Sequence, residues 1–204
     1  MTASWSVAKE NELISASVLL GEAGPNSGAG GFQRWFHNAL SISGSPLWIE
    51  EIANSFHINL YFNYVKEWQI TPAPFGVRFA LKPNIALGSR DIYAEPEAIF
   101  YFGRRSKVQH TIAYDRLGSL EREIYFALRF SYRQVFHNGL IEGNLFGNNS
   151  IRTKNPENSI YKLGLDFYHR SKKNDYKLGL RYNSRQTAPV RSHRYLMLAY
   201  GFQF

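Results

Sequence analysis

Gln33 and His37 stand four residues apart in the run GEAGPNSGAGGFQRWFHNAL, residues 21–40. That spacing puts both on one face of a helical turn. Histidine is the side chain best suited to take a proton near neutral pH. The pair therefore suits ester hydrolysis, with His37 as base for a water molecule and Gln33 orienting its ring. The same reaction needs positive stabilisation of an oxyanion, and no residue of the run obviously supplies it. A plainer reading stands beside this one: a histidine so placed also caps or packs a re-entrant turn. Phe32, Trp35 and Phe36 share an apolar face of the same candidate helix. The glycines before it form neither GxxxxGK[ST] nor GxGxxG after a buried strand, which sets nucleotide binding aside. The other histidines, His57, His110, His137, His169 and His193, make no HxH or HExxH spacing. They are expected on strands or strand ends, facing a lumen or an interface.

The elements that must position this segment have period two. In Ile124–Arg133, Ile124, Phe126, Leu128, Phe130 and Tyr132 alternate with residues that include Arg129, Ser131 and Arg133. Ile58, Leu60, Phe62 and Tyr64 alternate with His57, Asn59, Tyr61 and Asn63. Similar alternation covers 77–87, 161–167, 176–183 and 196–204, where a helix would place apolar residues three and four apart. The stretches run for about 9–14 residues, against about 5–6 in ordinary strands and about 9–11 for a tilted strand crossing a bilayer. Arg, Lys, Asn and Gly occupy the alternate face, as a wet lumen requires, and Tyr and Phe recur at strand ends as in an interfacial girdle. Turn signals fall at Ser171–Asp175, 147–158 and Ser184–Ser192, and the last alternating strand ends on Phe204.

This pattern predicts an all-β chain: one antiparallel transmembrane β-barrel domain of the outer-membrane type over 1–204, with about 10 strands. A short helical, Gly-rich insertion at 21–55 interrupts it. Mean hydropathy is −0.34 and there is no apolar run of 18 residues, so a helical span is excluded, but a barrel is not. A soluble β-sandwich or lipocalin-like barrel would also alternate, but turns its apolar face inward and seldom needs strands this long.

The chain has no cysteine, which excludes disulfides, thiolate zinc sites and cysteine nucleophiles. The net charge is +8, with the densest basic clusters at Arg104-Arg105-Lys107 and His169-Arg170-Lys172-Lys173. The plain reading makes these solvated loops; the sharper one is contact with phosphate. No nucleic-acid-binding pattern is present. The N-terminus has neither the basic nor the apolar region of a signal peptide.

The run LLGEAGPNSGAGGFQRWFHNAL, then Trp48 and NSFHINLYFNYVKEW, resembles the lipid A deacylase family of outer-membrane proteins. The G-P-x-x-x-G…Q-x-x-x-H signature is carried by Gly24, Pro25, Gly28, Gln33 and His37. Residues 132–146 and the closing HRYLMLAYGFQF match in order. The resemblance implies a 12-stranded barrel in the bacterial outer membrane that acts as a carboxylic ester hydrolase on lipopolysaccharide. It also implies an active site on the outer-leaflet side, His37 as general base, Ser27 and Gln33 as its neighbours, and a calcium ion that polarises the ester. A monomer is expected, with lipid A and outer-membrane lipid as partners and no nucleic acid. The family's N-terminal Asn-Asp segment, which helps build the calcium site, has no counterpart here; Asn11-Glu12 lies at the wrong distance. The chain is therefore expected to start after a first hairpin, with metal ligands unknown. The alternative function is a non-catalytic outer-membrane barrel, a channel or lipid-binding protein.

Overall fold

The computed structural model describes residues 1–41, 53–72, 75–116, 121–146 and 153–203. Among the described residues nine strands follow one another in a single antiparallel sheet: β1 (Thr2–Ala8), β2 (Glu12–Ala23), β3 (Ser55–Gln69), β4 (Gly76–Gly88), β5 (Asp91–Arg104), β6 (Glu123–Asn138), β7 (Ser159–Ser171), β8 (Asn174–Asn183) and β9 (His193–Phe202). Each pairs with its neighbours in sequence, the meander of an outer-membrane barrel wall. About ten strands were expected. An odd number of alternating strands leaves β1 and β9 parallel to each other, and no ladder joins them among the described residues.

Period two sorts the side chains as the sequence predicts. On β6 the outward Phe126, Leu128 and Phe130 are exposed, while Tyr125, Ala127 and Ser131 are buried on the other face. On β3 the exposed Phe56, Ile58 and Leu60 alternate with buried His57 and Asn59. The apolar face is thus the outer one, the reverse of a soluble barrel. No described helix is long and apolar enough to cross a membrane.

At one end of the sheet β2 connects to β3, β6 to β7 and β8 to β9, and a tight turn at 89–90 joins β4 to β5. Outer-membrane barrels put their longer loops outside the cell, so this is the outer end. At the inner end the turns at 9–11 and 172–173 are short, and the connection from β5 to β6 folds inward over its described part. Its residues 105–116 cross the concave face. Val108 N donates to Glu10 O at 3.0 Å, Lys107 pairs with Glu10, and Asp115 with Lys177 on β8. Val108, Thr111 and Ile112 of this segment are buried against Tyr101 and Tyr125.

Of the basic clusters, Arg104, Lys107, Lys172 and Lys173 are exposed, as solvated loops would have them, but Arg105 and Arg170 are buried. Arg105 donates to both carboxylate oxygens of Glu67 at 2.7 Å, and its guanidinium lies 4.0 Å from the Tyr101 ring centre. Arg170, fully buried, grips Asp175 at 2.6 and 2.9 Å and donates to the carbonyls of His110 and Arg116. These cations satisfy lumen carboxylates and the inward-folded loop, because a buried charge needs a partner. His110 lies in that loop rather than on a strand. Higher in the lumen, Arg129 bridges Glu97 and Asp166 at 3.0 and 2.6 Å, and Lys162 and Arg133 share Glu95.

Glycine is required at one inner-end position. Gly103 has φ +130°, and a Cβ there would lie 2.5 Å from the Ile124 carbonyl oxygen and 2.8 Å from the Tyr125 Cα. Gly103→Ala is expected to cost about 1–3 kcal/mol, read as a lower urea midpoint for protein folded in micelles. An unchanged midpoint would show that β5 and β6 adjust freely.

Candidate functional site

The outer end of β2 runs into a tight turn. Gly24 (φ 96°) and Gly28 (φ 73°) bracket a short 3-10 turn at Pro25–Ser27, and α1 (Ala29–Ala39) follows at once. Positive φ suits glycine, and Pro25 at the first position of the turn has no N–H to leave unpaired. Ser27 Oγ donates to the Gly24 carbonyl at 2.7 Å and lies 3.4 Å from Ala29 N. Its hydroxyl therefore shapes the turn, while its side chain remains exposed. The turn is held to the wall because Asn26 N donates to Asn54 Oδ1, next to the start of β3, at 2.8 Å.

The helix is oriented by contrast between its faces. Phe32, Trp35 and Phe36 are 65%, 63% and 43% exposed, with Phe32 5.6 Å from Trp35 and 6.4 Å from Phe36 between ring centres. Gly30, Gln33 and His37 are the half-covered positions of α1. In water an amphipathic helix covers its apolar stripe; here the polar stripe is covered and the aromatic one bare. A helix at a membrane interface does this, with its aromatics available to lipid. The structure thus brings Gln33 and His37 onto one face, as their spacing predicts. No hydrogen bond joins them among the described contacts. His37 Nδ1 is enclosed with no hydrogen-bond partner.

Beneath the glycine turn lies a polar set that the sequence reading took only as lumen residues. Ser55 Oγ sits 2.9 Å from His57 Nε2, and His57 Nδ1 is buried without a partner. Asn59, also buried, accepts from Arg90 N and Asp91 N at 2.9 and 3.0 Å and donates to Asp91 O at 2.9 Å. Tyr61 donates to Asp91 at 2.9 Å, and His137 pairs with Glu142. The i, i+2 spacing of Ser55, His57, Asn59 and Tyr61 was the available signal that these line one face of β3.

Among the described residues, no group of three or more His, Asp or Glu converges to hold a metal ion. Helix α1 carries no carboxylate, and the described residues around His37 do not form a calcium site.

The family model for the outer membrane protein LpxR matches residues 1–202, nearly the whole chain. The chain belongs to the LpxR family of outer-membrane proteins. The Gly24–His37 motif pointed to this family. The structure is similar to that of LpxR from Salmonella typhimurium, with a TM-score of 0.78 at 14% sequence identity, over 98% of this chain and 71% of that one. At that identity the likeness concerns the fold, an LpxR-type outer-membrane barrel wall. A search of curated protein sequences returns no match. As an LpxR-family protein it is placed in the outer membrane, and its exposed Phe and Leu side chains face lipid.

Proposed function

We propose that the protein hydrolyses an ester-linked acyl chain of lipid A, as a carboxylic ester hydrolase working at the outer leaflet. The carrying observation is α1: its Gln33–His37 stripe is covered while Phe32, Trp35 and Phe36 are bare, at the outer end of the barrel wall. The aromatic face seats the helix among acyl chains and brings an imidazole to the level at which lipid A esters lie. In the proposed step, His37 takes a proton from water as its oxygen attacks the ester carbonyl. The proton is then returned to the departing sugar oxygen as the C–O bond breaks, releasing a carboxylate. Gln33 positions the imidazole from the preceding turn, and Ser27 fixes the turn that sets the helix.

Calcium enters the proposal from family resemblance alone. The described residues supply no ligand set for it, and no step is assigned to it here.

The test is to incubate the folded protein in detergent with lipid A, with calcium and with a chelator, and to record the lipid mass. Loss of one acyloxyacyl unit supports the proposal. An unchanged mass in both arms sinks it for this chain and leaves a non-catalytic lipid-binding barrel.

A further inference from the structure

A groove of about 810 Å³ on the outer wall lies over β5–β9. It is separate from the wall beneath α1, which rises from β2 and β3. Two cross-strand rows build it. In the lower row, Phe100, Leu128, Leu165, Leu180 and Leu196 are successive ladder partners. In the upper row, Ala98, Phe130, Leu163, Tyr182 and Arg194 are partners in the same way.

The rows run obliquely to the membrane. Arg194 is the second residue of β9, close to the outer end, whereas Ala98 lies mid-strand in β5. The groove therefore starts at the outer interface and descends into the hydrocarbon. It spans four strand spacings of about 4.8 Å, or roughly 19 Å in all, which is the reach of a long acyl chain.

Its upper end is not apolar. The Arg194 guanidinium lies 6.0 Å from the Tyr182 ring centre, is exposed, and pairs with no carboxylate among the described residues. Most lumen arginines of this chain are paired; this one faces outward at the interface without an anion. Toward the outside from Phe130 and Leu163 on β6 and β7, the Tyr132 and Tyr161 rings lie tilted at 5.3 Å between centres, and the Tyr132 hydroxyl lies 2.9 Å from Ser159 Oγ. That is headgroup-level chemistry. An unpaired cation above an apolar groove is complementary to an anionic head on an acyl tail.

We propose that this wall is a docking site for a phosphate-bearing, multiply acylated lipid of the outer leaflet. Arg194 contacts the phosphate, Tyr182 and Tyr161 border the headgroup, and an acyl chain lies along the β5–β9 rows. The site is independent of the catalytic reading: it needs only the outer-membrane placement, and its readout is binding.

The test uses the full chain folded in detergent and freed of lipid, offered diphosphoryl lipid A, its dephosphorylated form, or phosphatidylcholine. Retained lipid is measured by mass spectrometry of the intact complex. Diphosphoryl lipid A should be retained in preference to both others. Arg194→Ala should weaken it by about tenfold or more. Arg194→Lys should keep most of it, and Arg191→Ala, in the neighbouring loop, should leave it unchanged. Circular dichroism confirms that each variant is folded. Equal retention of all three lipids, or Arg194→Ala behaving as the parent, overturns the proposal and leaves an unselective lipid-facing wall. Loss of binding without loss of deacylation separates this site from the one at His37.

Discussion

His37→Ala should reduce lipid A deacylation by about 10²- to 10⁴-fold, the usual contribution of a positioned general base, without unfolding the barrel. The imidazole sits on a helix that is no part of the strand ladders, and its Nδ1 has no hydrogen-bond partner among the described residues. Its removal therefore leaves the β1–β9 ladder that forms the wall intact. The strands, which carry the fold, should keep their β circular dichroism and their detergent-resistant migration. His37→Gln retains side-chain size and hydrogen bonding but not basicity, and should be nearly as inactive as alanine. Gln33→Ala should lose less, because it removes an orienting neighbour and not the base. The measurement is the rate at which the lipid A mass falls, compared at equal amounts of folded protein. Parental activity in His37→Ala would remove the histidine from the chemistry and leave it as a packing residue of the turn.

The second large effect is structural and concerns Glu67. Its carboxylate receives both arms of Arg105 at 2.7 Å and the Tyr114 hydroxyl at 2.8 Å, and lies 3.9 Å from Arg78. Both Glu67 and Arg105 have almost no exposed side chain, 2% and 1%. Burial, reinforced by Tyr101, pushes the Tyr114 phenol well above its ordinary pKa, so it stays a donor. Glu67→Ala strands a buried guanidinium and should cost about 3–5 kcal/mol. The urea midpoint in micelles should fall accordingly. Arg105→Lys should also destabilise, since an ammonium cannot reproduce the two-armed contact or the stacking on Tyr101. Replacing both partners by apolar residues of similar volume should cost less than either single loss, because no lone charge is left behind. A drop of under about 1 kcal/mol for Glu67→Ala would mean that water reaches the site and stands in for the carboxylate.

Those two sites differ in how far the amino-acid order disclosed them. The Gln33–His37 spacing is local, four residues on one helix, and the residues from Gly24 to Gly28 state the turn before it. Both were readable, as was the outward face of β3, β4 and β6–β9, because side chains alternate strictly along an extended backbone. The Ser55–His57 pair was half-readable: alternation puts both on one face, but a hydrogen bond between them depends on rotamers. Arg105 with Glu67 was not readable. The two are 38 residues apart, on β3 and beyond the end of β5, and the basic run around Arg105 looks like any solvated turn.

The amino-acid order alone carries the architecture class, the lipid-facing side of β3, β4 and β6–β9, and the helical turn that holds the candidate base. Periods of two and of 3.6 follow from backbone geometry and need no knowledge of distant partners. Strand packing sets which lumen carboxylate each arginine meets, that residues 105–116 fold inward across the lumen, and that α1 half-covers its polar stripe and bares its aromatics. It also decided that Arg194 stands outward without a carboxylate at the head of an apolar groove. Each of these depends on strand order and register, which bring residues from separate strands side by side, and alternation within a single strand carries no information about that pairing.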